Sequence, residues 1–132
     1  VINKTMPKLT QEIIEGNKLI ALFMGLKENG FGRNLHFVDE NGRIIAMSYL
    51  LQYNESWSWL MPVIDKIIEI DITPAPNWSG YRVEIVPRGY VKISGFPITP
   101  AITTNVSIEG SLIKAVYKAV VLFIKYYNEY GK

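Results

Sequence analysis

Ser56-Trp57-Ser58-Trp59-Leu60-Met61-Pro62-Val63-Ile64-Asp65-Lys66-Ile67-Ile68-Glu69-Ile70 is the stretch on which the reading of the fold turns. It holds two of the three tryptophans, just ahead of an apolar run of helical spacing that contains a proline. Such a cluster is costly to expose, so it belongs to the core or to the floor of a recognition surface. Proline has no amide to offer the carbonyl four residues back, and is tolerated in the first turn of a helix. Pro62 therefore predicts a helix capped by Ser56 or Ser58, with a loose or 3₁₀-like opening turn, running to about Glu69. Leu60, Ile64, Ile67 and Ile68 form its inward stripe, and Asp65, Lys66 and Glu69 its wet side.

Working outward, Thr73-Pro74-Ala75-Pro76-Asn77 breaks the helix and reads as a loop too short to link domains. Tyr81–Ile85 and Tyr90–Ser94 alternate at period two around Arg88-Gly89. They predict a hairpin with Tyr81, Val83, Ile85, Val91 and Ile93 on the core face. Upstream, Asn41-Gly42 is the strongest short hairpin signal, flanked by Leu35–Glu40 and Arg43–Met47, with Glu40 facing Arg43 beside the turn. An N-terminal helix from Gln11 to Met24 is framed by Thr10 as cap and Gly25 as stop, with Ile13, Gly16, Ile20, Phe23 and Met24 on one face. Pro97 and Pro100 mark a loop before a long last helix, Gly110 to Tyr130. That helix buries Leu112, Val116, Ala119, Val120, Phe123 and Tyr127, and wets Lys114, Lys118, Lys125 and Glu129. Val121, Leu122 and Ile124 widen its apolar face, as expected of a central helix or of one that meets a second copy. Helix, hairpin, helix, hairpin, helix predicts an α+β fold: a single domain over residues 1–132, with one antiparallel sheet of about four strands packed with three helices.

The chain is 132 residues long, with 48% hydrophobic and 20% charged residues, an ordinary globular composition. A net charge of +2, with basic residues spaced singly, gives no warrant for nucleic acid or an anionic membrane. The absence of cysteine excludes disulfides and thiolate chemistry. No signal peptide is read, because Glu12, Glu15, Asn17 and Lys18 interrupt the first apolar run, and Lys118 breaks the longest one. The expected location is the cytoplasm.

Chemistry is sparse. His36 is the only histidine and lies inside a predicted strand, so neither a metal centre nor a triad is expected, and no cofactor is implied. Asp39 and Glu40 read as turn-flanking charges. Asp65 with Glu69, and Glu69 with Asp71, are the only near carboxylate pairs beside the aromatics, and one-turn spacing usually means a solvated face. Gly30-Phe31-Gly32-Arg33-Asn34 lacks the spacing of a phosphate loop. Trp57, Trp59, Trp78, Tyr49, Tyr53, Tyr81 and Tyr90 could stack bases or sugars on an open sheet, but core packing accounts better for most of them. Trp78, in the proline-rich loop, is the one expected at the surface.

Three segments together carry a resemblance: Glu15-Gly16-Asn17-Lys18-Leu19-Ile20-Ala21, Ser56-Trp57-Ser58-Trp59-Leu60-Met61-Pro62-Val63, and Ala115-Val116-Tyr117 with the closing Tyr126-Tyr127-Asn128. The chain resembles a group of short uncharacterised proteins of gut bacteria and their phages. Those read Glu-Gly-Asn-Lys-Leu-Ile-Ala, Ser-Trp-Asp-Trp-Leu-Met-Pro-Val-Val, and Ala-Val-Tyr with a closing Trp-Tyr-Asn. Ser58 stands where the group often has aspartate, and Asn54 where a histidine is frequent. The resemblance covers the three helices and implies no activity.

The reading is a non-enzymatic binding or accessory domain, phage-related, meeting an unknown protein partner or itself as a homodimer through the last helix. A small carboxylate-dependent enzyme and a nucleic-acid accessory protein are the alternatives. Trp57 and Trp59 read as a core signature that docks the middle helix on the sheet. Together with Asn54, Ser58, Asp65 and Trp78 they are the candidate binding residues.

Overall fold

The computed structural model describes residues 10–70, 80–95, 98 and 100–131. Asp71, the loop 73–77, Trp78 and Pro97 lie outside them. The chain divides into two compact units, Val1–Leu51 and Gln52–Lys132.

In the first unit, helix α1 spans Gln11–Phe23, and Thr10 caps it by accepting the Ile13 amide at 3.2 Å. Its buried residues are Gly16, Asn17, Ile20 and Ala21, so the inward face is rotated from the expected one: Ile13, Phe23 and Met24 are only half-buried. Three short strands follow, β1 (Lys27–Asn29), β2 (His36–Val38) and β3 (Ile44–Met47), paired antiparallel in that order. Lys18 reaches from α1 to Glu28 on β1 at 2.9 Å. The Asn41-Gly42 hairpin forms, but Asp39 rather than Glu40 faces Arg43. The Asp39 amide donates to the Arg43 carbonyl at 3.0 Å, and Asp39 Oδ1 accepts from the Asn41 and Arg43 amides, both at 2.9 Å. Gly42 sits at φ +81°, the left-handed geometry that such a turn requires. Ile45 is an extra residue in β3, since Phe37 pairs with Ala46 and Val38 with Ile44; this is a β-bulge.

In the second unit, helix α2 covers Trp57–Glu69. The opening is partly 3₁₀: the Ser56 carbonyl accepts from both the Trp59 and Leu60 amides, at 3.1 and 3.0 Å. Ser56 occupies the cap position without a side-chain cap bond. The helix starts early enough that Pro62 falls in its second turn, not its first, and leaves the Ser58 carbonyl without the usual amide from four residues on. The buried stripe is Leu60, Val63, Ile64 and Ile67; Ile68, expected inside, is 49% exposed.

Strands β4 (Arg82–Ile85) and β5 (Tyr90–Ser94) make the second hairpin, closed by Gly89 donating to the Val86 carbonyl at 2.9 Å with Pro87 at the corner. A further strand, β6 (Ile102–Asn105), pairs with β5 where a loop running into the last helix was expected. Thus the expected single sheet of four strands is replaced by two separate three-stranded antiparallel sheets, β1-β2-β3 and β4-β5-β6. Both predicted hairpins are there, and each acquires one strand of three or four residues.

The last helix is also divided. A short helix α3 (Val106–Glu109) is capped by Asn105, and Gly110 ends it; α4 (Leu112–Tyr126) then starts from the Ser111 cap and runs into a π turn, Tyr127–Gly131. Helix α4 packs on β5 and β6, and α2 packs on β4 and α4. Ala115, Val116, Ala119, Val120, Phe123 and Ile124 of α4 are buried, and Leu112 and Tyr127 are half-buried. Tyr81 meets Phe123 edge-on at 4.7 Å, and Phe123 stacks on Tyr127 at 5.8 Å. Thr104 on β6 donates a buried bond of 2.7 Å to the Ala115 carbonyl of α4.

Candidate functional site

Helical geometry sorts the α2 residues. At 100° per residue, positions 57, 61, 64 and 68 share one line along the axis, and 58, 62, 65 and 69 the next. Ile64 is buried, but Trp57, Met61 and Ile68 are 39%, 43% and 49% exposed. They form an apolar line along the border between the buried stripe and the wet side, about 17 Å from end to end at 1.5 Å per residue. Ser58, Pro62, Asp65 and Glu69, all exposed, make a parallel polar line beside it.

The two tryptophans do not share a face, because two helical steps set them roughly 160° apart. Trp59 is half-buried and stands edge-on to Tyr53, ring centroids 5.1 Å apart at 84°. Tyr53 itself is buried, and burial pushes its hydroxyl from the ordinary 10.0 up to about 12. The expectation that both tryptophans dock α2 through the core is therefore corrected: Leu60, Val63, Ile64 and Ile67 are its buried residues, Trp59 flanks them and Trp57 faces water. Asn54 is half-buried in the turn ahead of the helix, and Ser56 Oγ lies 2.9 Å from Ser58 Oγ. Trp78 lies outside the described residues.

Asp65 and Glu69 are one turn apart and exposed, and Asp65 is roughly 120° around the axis from Trp59. The structure thus brings Trp57, Ser58 and Asp65 to one side of α2 and leaves Trp59 and Tyr53 on another. General-acid work at neutral pH needs a carboxyl held out of water, and both carboxyls of this pair are exposed. His36 Nδ1 is 2.7 Å from the Asn34 carbonyl, which can only accept, so the ring nitrogen donates. No group of three or more His, Asp or Glu side chains able to hold a metal occurs among the described residues, and none of the described helices is long and apolar enough to cross a membrane.

The outer face of the β4-β5-β6 sheet carries Arg82, Glu84, Tyr90, Lys92 and Thr103. Tyr90 donates to Glu84 at 2.7 Å, and that hydrogen bond and the carboxylate charge raise its hydroxyl above the ordinary value. Glu84 also stands opposite Lys92. One aromatic, already engaged, and two cations offset by an acid make a poor platform for bases.

Residues that the sequence did not single out matter more. Asn17, on a helix face read as apolar, is 2% exposed and donates to the Leu51 carbonyl at 3.1 Å. Met61 and Ile68 complete the exposed line with Trp57. Their signal was an excess of apolar residues in α2 over what one buried face takes. Comparison of the chain with protein-family models, with curated proteins and with solved structures returned no match.

Proposed function

We propose that this chain is a non-enzymatic binding or accessory domain, associated with phage or other mobile elements, that docks a protein partner through the Trp57–Met61–Ile68 line of α2. The observation that carries the reading is the exposure of those three large apolar side chains on one helix face. Tryptophan and methionine are enriched at protein interfaces, and a solvent-facing apolar line rimmed by Ser58, Asp65 and Glu69 has the make-up of an interface centre with a polar rim. Three side chains cover far less than the roughly 800 Å² per partner of a stable complex, so neighbouring residues join the contact or the complex is transient. Self-association through α4 has less to work with. Six of its apolar side chains are buried and Leu122 is its one large apolar residue above a third exposed, at 37%.

Affinity purification from cells carrying the native gene, comparing wild type with a Met61→Glu/Ile68→Glu variant of unchanged circular dichroism, tests the proposal. A partner retained by wild type and lost by the variant supports it. The same proteins retained by both would place binding elsewhere. In sedimentation velocity, a dimer dispersed by Leu122→Glu and not by Met61→Glu would move the interface to α4.

A further inference from the structure

Two Asn-Gly pairs lie in the first unit, Asn29-Gly30 and Asn41-Gly42, and both asparagines are exposed. Their surroundings differ. At the end of β1 the Gly30 amide donates to the side-chain oxygen of its own neighbour, Asn29 Oδ1, at 3.0 Å. That contact folds the carboxamide back beside the backbone nitrogen and polarises its carbonyl. Residue 30 must moreover be glycine: it sits at φ +88°, and a Cβ there would lie 2.4 Å from the Asn34 carbonyl oxygen. The fold therefore forces the least hindered amide in proteins to follow a carboxamide already turned toward it.

We propose that Asn29 is a site of spontaneous deamidation, with solvent water as co-reactant and the Gly30 amide nitrogen as nucleophile. The nitrogen gives up its proton to solvent base and bonds to the Asn29 side-chain carbonyl carbon. The bond from that carbon to the carboxamide nitrogen breaks, and ammonia leaves with a proton returned from solvent. Water then opens the five-membered imide at either carbonyl, giving aspartate or its β-linked isomer. No atom is oxidised or reduced. Holding nucleophile and carbonyl together in advance is what accelerates such an intramolecular step. The product adds one negative charge to β1 at the position paired with His36 on β2.

Asn41 is the internal comparison. Its Gly42 amide is engaged with the Asp39 carbonyl at 3.0 Å, while the Asn41 and Arg43 amides are held by Asp39 Oδ1. Both amides are thus hydrogen-bonded, Gly30 to the carboxamide that it attacks and Gly42 to a backbone carbonyl, so at Asn29 alone of the two the contact that is given up already holds the reacting groups together.

The test is peptide mapping by mass spectrometry of the folded full chain, aged at mildly alkaline pH in water enriched in heavy oxygen. Asn29 is expected to convert faster than Asn41 and to take up heavy oxygen. Asn29→Gln should abolish the acid at position 29, and in denaturant the two rates should converge. Conversion of Asn41 as fast as Asn29 in the folded wild type, or no acid at position 29, overturns the proposal.

Discussion

Replacing Asn17 with leucine separates a structural role from a ligand-binding one for the Glu15–Ala21 segment. Asn17 is buried on α1, and its carboxamide nitrogen ties the Leu51 carbonyl, 34 residues away, at 3.1 Å. Leucine keeps the side chain's forked heavy-atom skeleton but offers no donor, so the Leu51 carbonyl stays out of water without that partner. A buried polar group stripped of its partner costs about 1–3 kcal/mol. Taking about 2 kcal/mol and a urea slope of about 2 kcal/mol per molar, the midpoint should fall by about 1 M. Urea titration followed by far-ultraviolet circular dichroism reads this directly, with the slope expected to stay constant. Glu15→Ala, exposed on the same helix, is the control and should stay within about 0.5 kcal/mol of wild type. An Asn17→Leu protein with the wild-type midpoint would refute the assignment of Asn17 as the tie that closes the segment ending at Leu51.

Neighbouring positions on α2 should behave oppositely: Leu60→Ala should cost about 2–5 kcal/mol in urea titration, and Met61→Ser less than about 1 kcal/mol. Equal losses would mean that Met61 is packed rather than presented. Tyr53 has its hydroxyl raised from 10.0 to about 12, so above pH 10.0 the folded protein holds a proton that the unfolded chain has begun to release. Its contribution is complete below pH 10.0 and is lost as pH rises through about 12; Tyr53→Phe should remove that part of the alkaline slope, and an unaltered slope would contradict its burial. Thr104→Val removes the buried bond to the Ala115 carbonyl and should lower stability by about 1 kcal/mol, read by the same titration.

Local chemistry made part of this architecture legible. Asn41-Gly42 and Arg88-Gly89 located both hairpins, and Thr10 and the end of α2 were read to within a residue. The two extra strands were not legible. Lys27-Glu28-Asn29 is polar and exposed on both faces, and Ile102–Asn105 is four residues between prolines and a cap, so neither offers an alternation to detect. Missing them merged two sheets into one. In α2, Trp57, Trp59, Leu60, Met61, Val63, Ile64, Ile67 and Ile68 exceed what one face can bury, and hydrophobicity alone cannot say which lose the competition. Packing gave the inside to Val63 and left Ile68 in water. The burial of Asn17 was not legible, because a polar residue reads as exposed unless a distant partner such as the Leu51 carbonyl is known.

The central claim, that the exposed line of α2 is where this domain meets its partner, is tested most directly by photo-cross-linking from position 61. A photoreactive amino acid replaces Met61 in cells carrying the native gene, and another replaces Gln52, exposed but off the line, as the control. The account predicts a discrete cross-linked species from position 61 that is absent from position 52 and disappears when Trp57 and Ile68 are changed to glutamate. No species from position 61 beyond those from position 52 would contradict it.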